Sequence, residues 1–170
     1  MLHVVLVEPE VPPNTGSVGR LCLAAGARLH LVRPLGFDID DRTVRRAGLD
    51  YWEHVDLVVH ESLDAFLATV PADARLFLLT TKTDRPYDTV RFQDGDWFVF
   101  GRETRGLPEP FLAAHPDTTL TIPTSNAVRS LNLATAVGIV LFEALRQFRA
   151  GSCPAQDRTP PARNLRGIPL

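Results

Sequence analysis

Cysteine is nearly absent from this chain of 170 residues; the two present, Cys22 and Cys153, lie far apart and outside any CxxC spacing. That excludes a disulfide framework and a zinc cluster, so no metal is expected, and Cys22 reads as a small buried hydrophobe. Long apolar runs are missing as well. None approaches the roughly 18 residues of a membrane span, and the β-like run Leu2 to Val7 opens the chain without a charged region and cleavage site, so a cytosolic protein with no membrane contact is expected. Lysine is almost absent too: of 18 basic residues only Lys82 is lysine, and the net charge is −2. Such a balance excludes gripping nucleic acid by bulk positive charge, and any RNA contact has to be local, through arginines suited to forked phosphate contacts and base stacking. The common enzyme fingerprints are also missing. The turn after the first strand, Glu8 to Gly16, has two carboxylates and three prolines where a dinucleotide site needs GxGxxG, and HExxH, GxSxG and GxxxxGK[ST] do not occur.

What is there fits one globular domain. With 45% hydrophobic and 22% charged residues and no low-complexity tract, residues 1–150 can bury a sizeable core, whereas 151–170 turn rich in Pro and Arg and read as an extended tail. Strand-like runs at Leu2 to Val7, Arg28 to Val32, Val55 to His60, Arg75 to Thr81, Trp97 to Phe100 and Thr118 to Ile122 alternate with helical patterns. This order predicts an α/β fold with a largely parallel sheet flanked by helices. Asn14 is placed to cap the first helix, on which Val18, Leu21, Cys22 and Ala25 form one apolar stripe and Gly26 marks the end. Arg20 lies roughly 200° around the helix from Val18 and faces away from that core. A short polar helix is expected over Asp41 to Gly48, carrying Arg42, Arg45 and Arg46, with others over Leu63 to Val70 after a Ser62 cap and over Glu109 to His115. The longest helix, Leu131 to Arg149, has a core stripe of Leu133, Val137, Val140, Leu141, Ala144 and Phe148. Ile139 and Phe142 project from its other side, beside Gly138, and imply a second buried face suited to self-association.

Two loops carry the candidate chemistry. The apolar strand ending at Phe100 runs into Gly101-Arg102-Glu103-Thr104-Arg105-Gly106-Leu107-Pro108, glycines five apart with three charges between them. The glycines permit positive φ and close approach of a ligand to the backbone, and the charges supply hydrogen bonds of both polarities. Further on, Ile122-Pro123 leads through small polar residues to Arg129-Ser130-Leu131-Asn132 at the start of the long helix, beside its unpaired N–H donors, where Ser130 is also placed to cap.

Taken in order, Asn14 to Gly16 with Arg20, then Phe100 to Pro108, then Ile122-Pro123 with Arg129 to Leu133, resemble the three motifs of the SPOUT family of knotted RNA methyltransferases. The resemblance covers roughly residues 1 to 148 and extends, through Glu8 to Gly16 and Arg45 to Tyr51, to the small single-domain members acting on the tRNA wobble ribose. Gly19 stands where larger apolar residues are common in that group, Arg102 where proline is frequent, and the tail after Phe148 is longer than expected.

The resemblance implies a C-terminal deep trefoil knot, which periodicity does not reveal because knots break ordinary connection rules. It implies S-adenosylmethionine as methyl donor, leaving S-adenosylhomocysteine, held by Leu79, Gly101, Ile122, Ser130 and Leu131. It implies Arg20, Asn14, Ser130 and Asn132 as the catalytic set. Arg20 is the residue to which hydroxyl activation is assigned, although a guanidinium is better suited to orienting the hydroxyl and stabilising negative charge than to accepting a proton. The substrate implied is the 2′-hydroxyl of the wobble cytidine or uridine in a tRNA anticodon stem-loop, on leucine isoacceptors, with a homodimer as the working form. Two alternatives remain at this point: a 2′-O-methyltransferase for another tRNA or rRNA position, and a non-catalytic RNA-binding protein of the same fold.

Overall fold

The computed structural model describes residues 1–38, 51–125 and 127–151. The expected helix over Asp41 to Gly48 and the tail from residue 152 lie outside them. Six strands form one parallel sheet: β1 (His3–Val7), β2 (Arg28–Val32), β3 (Leu57–His60), β4 (Leu76–Leu79), β5 (Trp97–Phe100) and β6 (Thr119–Leu120), in the order β3-β2-β1-β5-β4-β6. The helices are α1 (Pro12–Ala25), α2 (Leu63–Leu67), α3 (Glu109–Ala113) and α4 (Leu133–Gly151). Among the described residues no helix is long and apolar enough to cross a membrane.

The strands are covered on both faces, which is why they read as apolar runs rather than as alternating patterns. On one face Val4, Leu6, Leu29, Leu31, Phe98 and Phe100 meet Val18 and Cys22 of α1 and Val137, Val140, Leu141 and Ala144 of α4. On the other, Val5, Val7, Val32, Leu78 and Val99 meet Phe66 of α2 and Phe111 and Leu112 of α3. Burial pushes the Cys22 thiol up to about 12, so it is an inert core group, as its position in the stripe predicts. The expected stripe on α4 faces the core, Ile139 is half-buried, and Phe142 remains 44% exposed.

Two helix starts differ from expectation. Pro12 and Pro13 occupy the first positions of α1, where a missing N–H costs nothing, so the helix begins ahead of Asn14 and Val11 takes the cap position without a side-chain bond. Asn14 is therefore inside the first turn, its side chain free for other partners. At α4 the cap is Asn132 rather than Ser130: its Oδ1 accepts from the Thr135 N–H at 3.2 Å, while its carbonyl accepts from Ala136 at 2.9 Å. Ser62 caps α2 as expected, accepting from the Ala65 N–H at 3.0 Å, and Gly26 ends α1 in the left-handed region, φ 65°.

Candidate active site

The carboxyl ends of β4 and β5, the first turn of α1 and the start of α4 enclose a cavity of about 670 Å³, beyond the strand ends where parallel sheets bind ligands. Leu79, the last residue of β4, joins Ile122 and Leu131 in its apolar wall, while Asn14, Ser130, Asn132 and the loop from Gly101 to Gly106 supply polar groups.

The loop closes on itself through its two glycines, which do different work. Gly106 adopts φ 71°, which a side chain disfavours, and its N–H donates to the Arg102 carbonyl at 2.9 Å. Gly101 is needed for space: a Cβ there would sit 2.1 Å from the Gly106 carbonyl carbon and 2.2 Å from the Leu107 nitrogen. The close approach at Gly101 is that of the loop's own backbone, where the sequence suggested a ligand.

Arg102 and Glu103, two of the three charges in this loop, have partners. Arg102 forms an ion pair with Glu8, whose backbone is itself in the left-handed region at φ 53°. The Glu10 carboxylate accepts from the Thr104 N–H at 3.0 Å and from its hydroxyl at 2.8 Å, and Arg129 donates to the Thr104 carbonyl at 2.7 Å. Glu103 is the hub. Its Oε1 accepts from Asn14 Nδ2 at 3.0 Å and its Oε2 from the Glu10 N–H at 2.9 Å.

The amides are oriented by these contacts. Because a carboxylate only accepts, Asn14 must turn its NH₂ to Glu103, which leaves its Oδ1 to accept from Asn132 Nδ2 at 2.9 Å. That in turn leaves Asn132 Oδ1 for the helix cap. A single hydrogen-bonded line thus runs from the 101–106 loop through α1 to the start of α4, and it fixes three distant segments around one cavity.

Of the residues expected at the site, Asn14, Leu79, Gly101, Ile122, Ser130, Leu131 and Asn132 come together on this cavity. Arg20 does not. It is exposed on α1, about 9 Å along the axis from Asn14 at 1.5 Å per residue, with its guanidinium carbon 4.4 Å above the ring of Tyr51. Sequence reasoning missed Glu103 and Glu10 as structural partners; the only signal was an acidic residue between two arginines in a glycine-bounded loop.

Chemically, the site offers an apolar slot with polar ends and no free base among its described lining residues. Glu103 has both oxygens engaged, and the other charged groups there are Lys82, Arg102, Arg105 and Arg129. Such a site binds, orients and stabilises charge. Among the described residues no group of His, Cys, Asp and Glu could hold a metal ion.

The model of the SpoU rRNA Methylase family matches residues 1–142. A tRNA (cytidine(34)-2′-O)-methyltransferase of Burkholderia ambifaria is 51% identical over 156 residues, 89% of this chain and 100% of the relative. The enzyme of that name from Escherichia coli is 49% identical over 149 residues, 87% of this chain and 94% of the relative. A solved structure described as giving insights into the 2-OH methylation of C/U34 on tRNA superposes with TM-score 0.83 at 49% identity, covering 88% of this chain and 97% of the other. The SpoU methyltransferase AviRb from Streptomyces viridochromogenes, solved with the cofactor AdoMet, gives TM-score 0.78 at 25% identity over 88% of this chain and 58% of that one.

Proposed function

The chain belongs to the SpoU rRNA methylase family, and from that premise we propose that it methylates the ribose 2′-hydroxyl of the wobble nucleotide, cytidine or uridine 34, of tRNA. The observation that carries the site is the pair of bonds from Asn14 to Glu103 and to Asn132, which holds all three motif segments at one cavity.

S-adenosylmethionine fits this cavity. Its volume of about 670 Å³ falls within the ~300–1,000 Å³ of small-molecule sites, and apolar walls beside polar groups at the helix start suit an adenine base with a sulfonium-bearing chain. Leu79, Ile122 and Leu131 would pack against the base, the backbone at Gly101 would hold its polar edge, and Ser130 would stand at the reacting end. When bound, the cofactor supplies a methyl group on a positively charged sulfur. Residues of the chain then do the positioning: Asn14 and Asn132 fix the loops that aim the methyl group, Ser130 binds at the reacting end, and Arg20 orients the ribose hydroxyl and stabilises the charge that develops as its proton leaves to solvent. The products are a 2′-O-methyl ribose, S-adenosylhomocysteine and a proton.

Arg20 lies away from the cavity of its own chain, which supports a homodimer in which it completes the partner's site. Phe142 on α4 and Leu23 on α1, 44% and 39% exposed, provide apolar surface for that contact. The reading carries with it the C-terminal trefoil knot, a catalytic domain over residues 1–150 followed by a tail, leucine tRNAs as substrates, contact through the anticodon stem-loop, and action in the cytosol. Light scattering that returned a monomer at micromolar concentration would overturn the dimer.

Incubation with radiolabelled S-adenosylmethionine and bulk tRNA, followed by mass-spectrometric mapping, tests the activity. The expected product is a 2′-O-methylated wobble nucleotide. Label on a base refutes the reaction, label elsewhere in tRNA or only in rRNA refutes the target, and no label on any RNA points to a binding protein.

A further inference from the structure

Beneath Arg20 lies a brace that the three motifs do not include. Gly16, Gly19 and Arg20 stand at i, i+3 and i+4 on α1 and so share one face. Two consecutive aromatic residues grip that face. The Tyr51 hydroxyl donates to the Gly16 carbonyl at 2.9 Å, the carbonyl that also accepts Arg20's own N–H in the i to i−4 pattern of the helix. Trp52 fills the space over Gly19, where a Cβ would come within 2.5 Å of its ring. This explains the small residue at position 19. The Tyr51 ring lies under the guanidinium, 4.4 Å from its carbon.

We propose that Tyr51 is a positioning residue for Arg20 through its ring, which supports one face of the guanidinium. The inference rests on the assignment of Arg20 to the reaction given above. A free arginine side chain samples many rotamers, and a ring on one face removes part of that freedom while leaving the in-plane N–H donors available to ribose and phosphate. Tyr51 takes no part in the cavity lining, so its effect falls on methyl transfer and not on cofactor binding.

Methyl transfer to tRNA, cofactor affinity by calorimetry and thermal midpoint are to be measured together for Tyr51→Phe, Tyr51→Trp, Tyr51→Leu and Arg20→Ala. Phenylalanine and tryptophan keep a π face, and their kcat stays within about threefold of the parent; leucine removes it and kcat falls about tenfold, while cofactor Kd changes less than twofold in all three. A merely structural tyrosine gives a different order, in which activity follows thermal midpoint and the phenylalanine variant, lacking the bond to Gly16, suffers with the leucine one. That order, a fully active leucine variant, or a loss of cofactor affinity overturns the proposal. Tyr51→Met is the second ring-less variant if leucine fails to fold. If Arg20→Ala abolishes transfer while Tyr51→Leu retains it, only the brace fails; if Arg20→Ala retains transfer, the assignment of Arg20 fails and the brace with it.

Discussion

The sheet has two polar clusters assembled by different rules. Asn14, Glu103 and Asn132 come from a helix's first turn, a loop and a helix cap, 89 and 118 residues apart along their two bonds, and they border an open cavity. His3, His30 and His60 come from three neighbouring strands and form a chain, with His3 Nδ1 3.0 Å from His30 Nε2 and His30 Nδ1 3.0 Å from His60 Nε2. Trp97 stacks on His3 at 3.8 Å, and Phe66 meets the edge of His60. A depression of about 580 Å³ adjoins the histidines, yet most of its charged groups are paired: Arg75 with Asp96, Arg28 with Asp56, and Asp94 with the terminal amine. Polar groups on strands are spent on one another; those on loops and helix starts remain turned toward space that a ligand can fill.

The most damaging way to break this contrast is at Gly101. A methyl group there meets backbone at 2.1 Å and not a flexible side chain, so Gly101→Ala has to open the loop. The expected outcome is loss of S-adenosylmethionine binding by about 100-fold or more, read by calorimetry, since a misplacement near 1 Å is already costly. Retained affinity would mean that the loop does not shape the pocket.

Glu103→Gln comes next. Its carboxylate accepts from Asn14 and from the Glu10 N–H, and a glutamine can serve only one of them through its single oxygen while its NH₂ faces the other donor. An unpaired polar group costs about 1–3 kcal/mol, so kcat/KM should fall about 5- to 150-fold. Circular dichroism that shows the fold intact would assign that loss to the cavity side.

The histidine chain is sharpened by pH. Burial, then neighbouring His3, His60 and Arg28, hold His30 down to about 3 against a slight opposing pull from Asp56; His3 and His60 are also lowered, chiefly by burial. Their folded values lie below the unfolded value of 6.5, so the stabilisation is fully present above 6.5 and is lost as pH falls toward the folded values. Urea midpoints should therefore decline from pH 7.5 to pH 4.5, by at most about 1.4 kcal/mol per pH unit for each proton taken up. Replacement of His30 by glutamine should flatten this dependence. A slope unchanged by that substitution would place the titrating groups elsewhere.

The same contrast separates what the sequence made legible from what it did not. The alternation of strands with helices and the stripes on α1 and α4 follow from local periodicity, and Gly26 and Ser62 act as their residue types predict. The resemblance to the methyltransferase family implies Leu79, Ile122, Leu131 and Asn132 as site residues, and they meet at one cavity. Asn14 was misread as a cap because Pro12 and Pro13 compete for the same helix start, and only the bond to Glu103 shows what its side chain does. The histidine chain was invisible for another reason. Residues 27 and 30 apart meet only once strand register sets Val5 against His30 and Val32 against His60.

The smallest effects come from the two helix caps, one on each side of the comparison. Ser62→Ala removes the bond to the Ala65 N–H on the histidine side, costs about 1 kcal/mol of stability, and leaves methyl transfer unchanged. Asn132→Ser has the opposite signature. Serine caps about as well as asparagine, so the bond to the Thr135 N–H is replaced and the urea midpoint stays nearly constant. The NH₂ that reaches Asn14 is gone, however, and the Asn14 oxygen loses its donor beside the cavity. A hydrogen bond of net worth about 0.5–1.5 kcal/mol converts to roughly a two- to tenfold loss of kcat/KM. Stability lost without activity at one cap, and activity lost without stability at the other, distinguishes a polar group that holds the fold from one that also holds the site. Equal effects at both caps would erase that distinction.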